Sequence, residues 1–120
     1  MIQSKEQIIK YFKSGIKKTN DFKIGIEHEK FLFSNNKRVD YSKIKEMFQA
    51  LKEFGWKPVL EKENIIGLNK GGKNITLEPG NQIELSGDKL NHMHEACAES
   101  QDYLFELEQV TKKLNIKIVS

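Results

Sequence analysis

The amino-acid sequence predicts an α+β fold in which helices pack on one face of an antiparallel sheet. Three stretches repeat their apolar residues at intervals of three and four, as the buried side of a helix does. Between these stretches lie short strand-like runs, some with apolar residues at alternate positions, separated by Gly, Asn and Pro. With 120 residues and 38% hydrophobic content, the chain can bury one core. We therefore predict one core and not two, and we expect that the elements of residues 1–120 do not complete that core by themselves.

The first two elements are predicted to be a helix and a strand. Ser4 and Gln7 have the spacing of a capping box, and the apolar residues that follow recur at helical intervals. This pattern predicts a helix over residues 5–17, with an apolar stripe that needs a partner. Over residues 22–33 the apolar pattern changes to alternation, which predicts a strand.

The middle of the chain predicts a second helix and then an antiparallel meander. Residues 34–37 form a turn sequence, and the apolar residues of 41–54 lie on one side of a helix. Gly55 stands where a left-handed residue commonly ends a helix. The four short strands of the meander are predicted at residues 56–60, 65–68, 73–78 and 82–86.

A long helix and a final strand complete the predicted elements. The helix is expected over residues 90–115 and the strand over residues 116–119. Cys97 falls within the apolar stripe assigned to the long helix, so we expect a packed thiol. Because Ser120 directly follows an apolar segment, we expect the chain to be the front part of a longer protein.

Composition excludes several classes of function. The net charge is +3, and 19 of the 20 basic residues are lysines scattered along the chain, which disfavours a nucleic-acid partner. The single cysteine excludes an internal disulfide framework and favours a reducing compartment. We find neither a signal-peptide pattern nor a stretch of transmembrane length, so we predict a cytoplasmic protein with no membrane partner. The oligomeric state is left open.

Glu27 and Glu29 form the first candidate site. At positions i and i+2 of a strand their side chains share one face, roughly 7 Å apart at the backbone. A solvent-exposed strand tolerates such a pair, because water screens the repulsion. Alternatively, the two carboxylates bind a hard cation such as Mg²⁺, which prefers oxygen ligands.

Residues 75–86 form the second candidate site. A three-residue loop at 79–81 pairs Glu78 with Gln82 and Thr76 with Glu84, which makes one face of the hairpin polar and the other apolar. A two-residue loop would mix the two faces. A single strand bent at the proline, or a merely solvated face, remains an alternative.

Two segments resemble the plant and proteobacterial type of glutamate–cysteine ligase. They are GIEHEKF at residues 25–31 and ITLEPGNQIELSG at residues 75–87, with weaker matches at 55–58 and 64–68 in the same order. The resemblance implies a domain similar to the catalytic domain of glutamine synthetase, whose sheet holds ATP and Mg²⁺. It also implies metal, phosphate-binding and catalytic roles for four glutamates and a substrate contact for Gln82. These glutamates are Glu27, Glu29, Glu78 and Glu84.

The implied reaction is the ATP-dependent joining of L-glutamate and L-cysteine into γ-glutamylcysteine, the first step of glutathione biosynthesis. Residues 1–120 would be the N-terminal part of one ligase catalytic domain, inactive on their own. Another carboxylate–amine ligase of the same superfamily and a non-catalytic binding domain are the alternatives. In plant-type members a cysteine placed like Cys97 joins a redox-sensitive disulfide, whose partner here would lie beyond Ser120.

Three further features have no catalytic role in this interpretation. We expect His28 to be structural or solvated, because it lies on the strand face opposite Glu27 and Glu29. His92 and His94 do not share a helix face and make a poor metal pair. Asn81 stands where the family usually has a second glycine, and Asn tolerates the left-handed conformation that the turn needs.

Overall fold

A computed structural model describes residues 3–120 as an α+β unit with one antiparallel sheet and three α-helices. The helices are α1 (Lys5–Ser14), α2 (Tyr41–Leu51) and α3 (Met93–Lys113). The strands are β1 (Glu27–Ser34), β2 (Lys37–Arg38), β3 (Lys57–Glu61), β4 (Asn64–Lys70), β5 (Lys73–Glu78), β6 (Gln82–Ser86) and β7 (Lys117–Val119). Short 3₁₀ turns lie at Thr19–Asp21 and Lys52–Phe54.

The strands form a seven-stranded sheet in which every pairing is antiparallel. β3, β4, β5 and β6 follow one another as the predicted meander, and β6 then pairs with the first half of β1. The second half of β1 pairs with β2 and β7. Since Phe33 stands opposite both Arg38 and Lys117, β2 and β7 lie on opposite sides of β1.

Helices α2 and α3 cover one face of the sheet and enclose the core. From α2 the core receives Met47 and Phe48, and from α3 it receives Tyr103 and Leu107. The sheet contributes alternate apolar residues, all of them buried: Leu32, Leu68, Ile75, Ile83 and Leu85. The predicted packing of helices on one face is therefore confirmed for α2 and α3.

Helix α1 does not take part in this packing. Ser4 caps it as predicted, since its hydroxyl accepts a hydrogen bond from the Gln7 amide at 3.3 Å. The helix is three residues shorter than predicted and ends before Gly15. None of its residues is buried, and Phe12 is 72% exposed. Its apolar stripe thus has no cover within the described part of the chain.

Two element boundaries differ from the prediction for one shared reason. Ile24 and Leu90 exchange both backbone hydrogen bonds, each 2.8 Å long, as an isolated bridge. Residues 22–26 therefore lie outside β1, which starts at Glu27 rather than at residue 22. The bridge also holds Leu90 in an extended conformation, so α3 begins at Met93 instead of residue 90.

The turns follow the predicted chemistry closely. Gly55 has a φ of 87° and ends the second helical segment, and Asn81 has a φ of 58° in the loop between β5 and β6. The Asn81 side chain also donates to the Val39 carbonyl at 3.0 Å. The expectation that asparagine replaces glycine in this turn is confirmed.

Candidate functional site

Strands β1, β5 and β6 bring all five predicted site residues onto one face of the sheet. The β5–β6 hairpin has the predicted register, with Glu78 opposite Gln82 and Thr76 opposite Glu84. Strand β1 adds Glu29 directly opposite Glu84. This face points away from α2 and α3, because Ile83 and Leu85, which alternate with the polar residues of β6, are fully buried in the core.

We call this surface the carboxylate face. It consists of the four predicted glutamates and three neutral polar residues of the same strands, namely Glu27, Glu29, Thr76, Glu78, Gln82, Glu84 and Ser86. Glu27 and Glu29 are exposed, whereas Glu78 and Glu84 are half-buried. The two carboxylates of β1 are therefore more exposed to solvent than the carboxylates of β5 and β6.

Neutral donors orient three of the four carboxylates. The Gln82 amide donates to Glu29 Oε2 at 2.7 Å, and the Thr76 hydroxyl donates to Glu78 Oε1 at 2.8 Å. The Ser86 hydroxyl donates to Glu84 Oε1 at 3.3 Å. Within residues 3–120, no Lys, Arg or His nitrogen lies within 4.0 Å of these four carboxylates. The negative charge of the face is therefore not compensated by neighbouring side chains.

Glu84 experiences this uncompensated charge most strongly. Partial burial raises the pKa of the Glu84 carboxyl, and repulsion from Glu27, Glu78 and Glu29 raises it further, against the opposing hydrogen bond from Ser86. Each of the other three glutamates thus acts on Glu84. A bound cation would relieve both the repulsion and the cost of burying the charge.

The arrangement fits a particular kind of magnesium site. In the described chain, no three His, Cys, Asp or Glu side chains converge on one position as an all-protein cage would require. Mg²⁺ is commonly held by one or two carboxylates together with waters and substrate phosphates. Carboxylates that face one another in pairs, such as Glu29 and Glu84, suit that second arrangement.

Two features of this face were not predicted from the sequence. Gly67 of β4 stands opposite Thr76, which in turn stands opposite Glu84. The position has no room for a side chain, because a Cβ there would lie 2.7 Å from the Ile75 carbonyl oxygen. Arg38 lies beside the face on β2. The sequence Asn35–Asn36 could have predicted the β1–β2 hairpin that places this arginine, because asparagine favours the positive φ angles of a two-residue hairpin turn. Both residues have positive φ angles in the structure.

His28 lies where the sequence predicts it, on the strand face opposite Glu27 and Glu29. His92 and His94 do not, because His92 lies before the helix and the centres of the two rings are only 6.0 Å apart. His28 stands opposite Leu85 on the helix-covered side, and its Nε2 lies 3.1 Å from the Ser100 hydroxyl of α3. His92 precedes the first turn of α3, and its Nε2 lies 3.7 Å from Glu95 Oε1. No metal-ligating group of three involves any of these side chains within residues 3–120.

The expectation of a packed thiol at Cys97 is wrong, because this side chain is exposed. Cys97 lies outside the buried side of α3. That side is formed by residues at helical spacing, including Ala96, Glu99, Tyr103 and Leu107. The sequence pattern failed here because it counted every apolar residue of the helix as part of the stripe. A buried Glu99, which accepts a hydrogen bond from the Asp88 amide, belongs to the stripe in its place.

Comparison with known proteins identifies the family. The family model described as glutamate-cysteine ligase family 2 (GCS2) matches residues 23–120, which contain every strand of the sheet. This chain belongs to glutamate–cysteine ligase family 2. The resemblance noted in the two glutamate-bearing segments is therefore confirmed, and the carboxylate face lies wholly within the matched residues.

Several plant proteins are similar to this family member. A chloroplastic glutamate–cysteine ligase of Nicotiana tabacum is 40% identical over 116 residues, which cover 94% of this chain and 22% of the relative. The glutamate–cysteine ligase A of Oryza sativa subsp. japonica, also chloroplastic, is 38% identical over 116 residues, covering 94% of this chain and 24% of the relative. The chain thus spans less than a quarter of the length of these relatives. None of the described helices combines the length and apolar character that crossing a membrane requires.

Proposed function

We propose that this chain supplies part of the magnesium–nucleotide site of a glutamate–cysteine ligase. The proposed reaction is the ATP-dependent formation of γ-glutamylcysteine from L-glutamate and L-cysteine, the first step of glutathione biosynthesis. The observation that carries the proposal is the carboxylate face, on which four glutamates share one surface with no basic side chain of residues 3–120 paired to them. The family membership gives that surface its chemical context.

In this proposal the four glutamates hold Mg²⁺ together with the phosphates of ATP. When held by these glutamates, Mg²⁺ would supply charge neutralisation for phosphoryl transfer to the glutamate side chain. The residues of the chain orient the reactants. Glu29, fixed by Gln82, and Glu84, fixed by Ser86, present oxygens from neighbouring strands, and Gln82 has a further carbonyl oxygen for substrate. A sheet like that of glutamine synthetase is the fold we propose for the whole domain.

Magnesium-dependent ATP binding tests the proposal directly. We expect the 120-residue chain to bind ATP with Mg²⁺ and to lose that binding in Glu27→Gln and Glu84→Gln, because each change removes a charged ligand while keeping side-chain shape. Glu61→Gln on the edge strand β3 removes one charge outside the carboxylate face and serves as the matched control. Titration calorimetry with and without Mg²⁺ measures the difference. Unchanged binding in both variants would favour a non-catalytic binding domain.

Acceptor choice and cellular location need separate tests. The carboxylate face concerns ATP and metal, so another carboxylate–amine ligase of the superfamily differs from our proposal only in its substrates. Substrate profiling of a full-length enzyme that contains this segment separates the two, and we expect no γ-glutamylcysteine from the 120 residues alone. We also propose a cytoplasmic location, although the plant relatives are named chloroplastic, and localisation of a tagged protein tests it.

A further inference from the structure

Arg38 is the sole arginine of the chain, and it lies at the border of the carboxylate face. It stands directly opposite Phe33 in the β1–β2 pairing, so its side chain lies on the side of the sheet that carries Glu29 and Phe31. The guanidinium carbon is 4.4 Å from the centre of the Phe31 ring and 5.7 Å from the centre of the Phe33 ring. The exposed Arg38 side chain therefore lies over the Phe31 ring, with the Phe33 ring nearby.

A hydrogen bond also holds the guanidinium in place. Its Nη2 donates to the Gly80 carbonyl in the loop that joins Glu78 to Gln82. A guanidinium has five N–H donors, and this is the only hydrogen bond that Arg38 donates to another described residue. No carboxylate lies within 4.0 Å of Arg38 in the described chain. The remaining donors are available to a ligand.

Phe31 connects Arg38 to the carboxylate face. Phe31 follows Glu29 by two residues on the same side of β1, and Glu29 accepts the 2.7 Å hydrogen bond from Gln82. Among the residues that the structure describes, this surface thus has carboxylates and one arginine that form no ion pairs. A ligand that carries both metal cations and anionic oxygens matches this charge pattern, whereas a bare cation or a bare anion matches only half of it.

We propose that the Arg38 guanidinium binds an oxygen of the nucleotide phosphate chain while the metal ions of that nucleotide lie on the carboxylates. The inference rests on the proposed function and adds a phosphate-binding residue outside the two glutamate-bearing segments. The Phe31 ring orients the guanidinium, and the Gly80 carbonyl sets its distance from the hairpin. The alternative is a purely structural role, in which Arg38 only ties β2 to the β5–β6 loop.

Neighbouring basic residues provide a matched test. Arg38→Gln removes the charge at the border of the face, and Lys37→Gln removes one charge at the adjacent position, which stands opposite Ser34 on the other side of the strand. We expect Arg38→Gln to weaken MgATP binding by about tenfold or more, since a charge-assisted hydrogen bond is lost. Lys37→Gln should change the affinity by less than about twofold. Arg38→Lys, which keeps charge but not the planar fork, should be intermediate.

Binding of Mn²⁺ without nucleotide separates ligand binding from a structural role. If Arg38 contacts phosphate, Arg38→Gln keeps wild-type Mn²⁺ affinity, measured by electron paramagnetic resonance, and loses affinity only for the nucleotide. If Arg38 merely supports the hairpin, Mn²⁺ and MgATP affinities fall by the same factor, and the proposal is overturned. Equal MgATP affinity of Arg38→Gln and wild type would overturn it as well.

The glutamate and arginine variants together distinguish the phosphate contact of Arg38 from the magnesium site on the carboxylate face. Loss of MgATP binding in Arg38→Gln but not in Glu27→Gln or Glu84→Gln would reject the magnesium face and retain the phosphate contact. If the wild-type chain binds no MgATP, inorganic triphosphate replaces it as the probe, and the Arg38 Nε–H resonance is followed by NMR. A saturable shift of that resonance supports the contact, and an unmoved resonance overturns it.

Discussion

The two faces of the β5–β6 hairpin are built from alternate residues of the same strands, yet they meet opposite requirements. On one face Ile75, Ile83 and Leu85 are fully buried beneath α2 and α3. On the other face Glu78 and Glu84 are half-buried and close to further carboxylates, and their side-chain partners within residues 3–120 are the neutral donors Thr76 and Ser86. The apolar face stabilises the fold, whereas on the carboxylate face partial burial and repulsion raise the pKa of Glu84 and disfavour its charged form. This contrast indicates which substitutions affect folding and which affect binding.

The largest expected effect comes from the apolar face. Leu85→Ala should lower the free energy of unfolding by about 3 kcal/mol, because it removes a fully buried side chain and leaves a cavity. Urea denaturation measures the loss. Ser86→Ala, the next residue of β6 on the carboxylate face, is the control and should cost less than about 1 kcal/mol. Equal losses for the two variants would contradict the division between the faces.

An intermediate effect is expected at Gly67, where the carboxylate face itself is closely packed. Gly67→Ala would place a Cβ 2.7 Å from the Ile75 carbonyl oxygen, which is backbone and has no free rotation to avoid it. We expect a loss of about 2 kcal/mol in the free energy of unfolding. Gly25→Ala, whose Cβ would meet no atom within 4 Å, is the control and should leave the unfolding midpoint nearly unchanged. A neutral Gly67→Ala would show that this strand has room to move.

The smallest effect is expected at Glu84, where substitution should stabilise the folded protein rather than destabilise it. Because the pKa of Glu84 is raised in the folded state, the folded protein holds this proton more tightly than the unfolded chain does. Stability contributed by the protonated group is therefore lost as the pH rises above the ordinary carboxyl range. Glu84→Gln should raise the thermal midpoint at pH 7 by about 2 to 4 °C without Mg²⁺.

The pH series supplies the control for this prediction. The difference between Glu84→Gln and wild type should disappear below about pH 4, where the wild-type carboxyl is protonated in both states. Saturating Mg²⁺ should reduce the difference at pH 7 by stabilising the wild type alone. Scanning calorimetry at several pH values tests both statements. A variant less stable than wild type at pH 7 would show that Glu84 is not destabilising in the metal-free protein.

Local rules predicted the hairpin well. The loop at 79–81 and the alternation around it fixed the pairing of Glu78 with Gln82, because one register alone separates polar from apolar residues. Alternation does not hold on β4, where Ile65 and Leu68 are both buried although three residues apart. A bulge at Ile66 between β3 and β4 permits this, since Val59 pairs with Gly67 and Leu60 with Ile65. Strict alternation could not predict an irregularity set by the neighbouring strand.

Helix patterns were less reliable than strand patterns for a physical reason. An apolar stripe shows that a helix can be buried, but not that a partner exists to bury it. Helix α1 has such a stripe and remains exposed, and the α3 pattern placed Cys97 in a core that it does not enter. Only the positions of α2, α3 and the sheet decide which apolar residues are covered.

The sequence by itself determined the family, the polar and apolar sides of the hairpin and the identity of the four glutamates. These follow from residue order and from side-chain alternation over a few neighbouring positions. Only the tertiary structure decided that β1 pairs with β6, which sets Glu29 opposite Glu84 although 55 residues separate them along the chain. It also brought Arg38 beside Phe31 and the Gly80 carbonyl. Such long-range pairing depends on how the buried faces of all the elements fit together, and no local pattern records that fit.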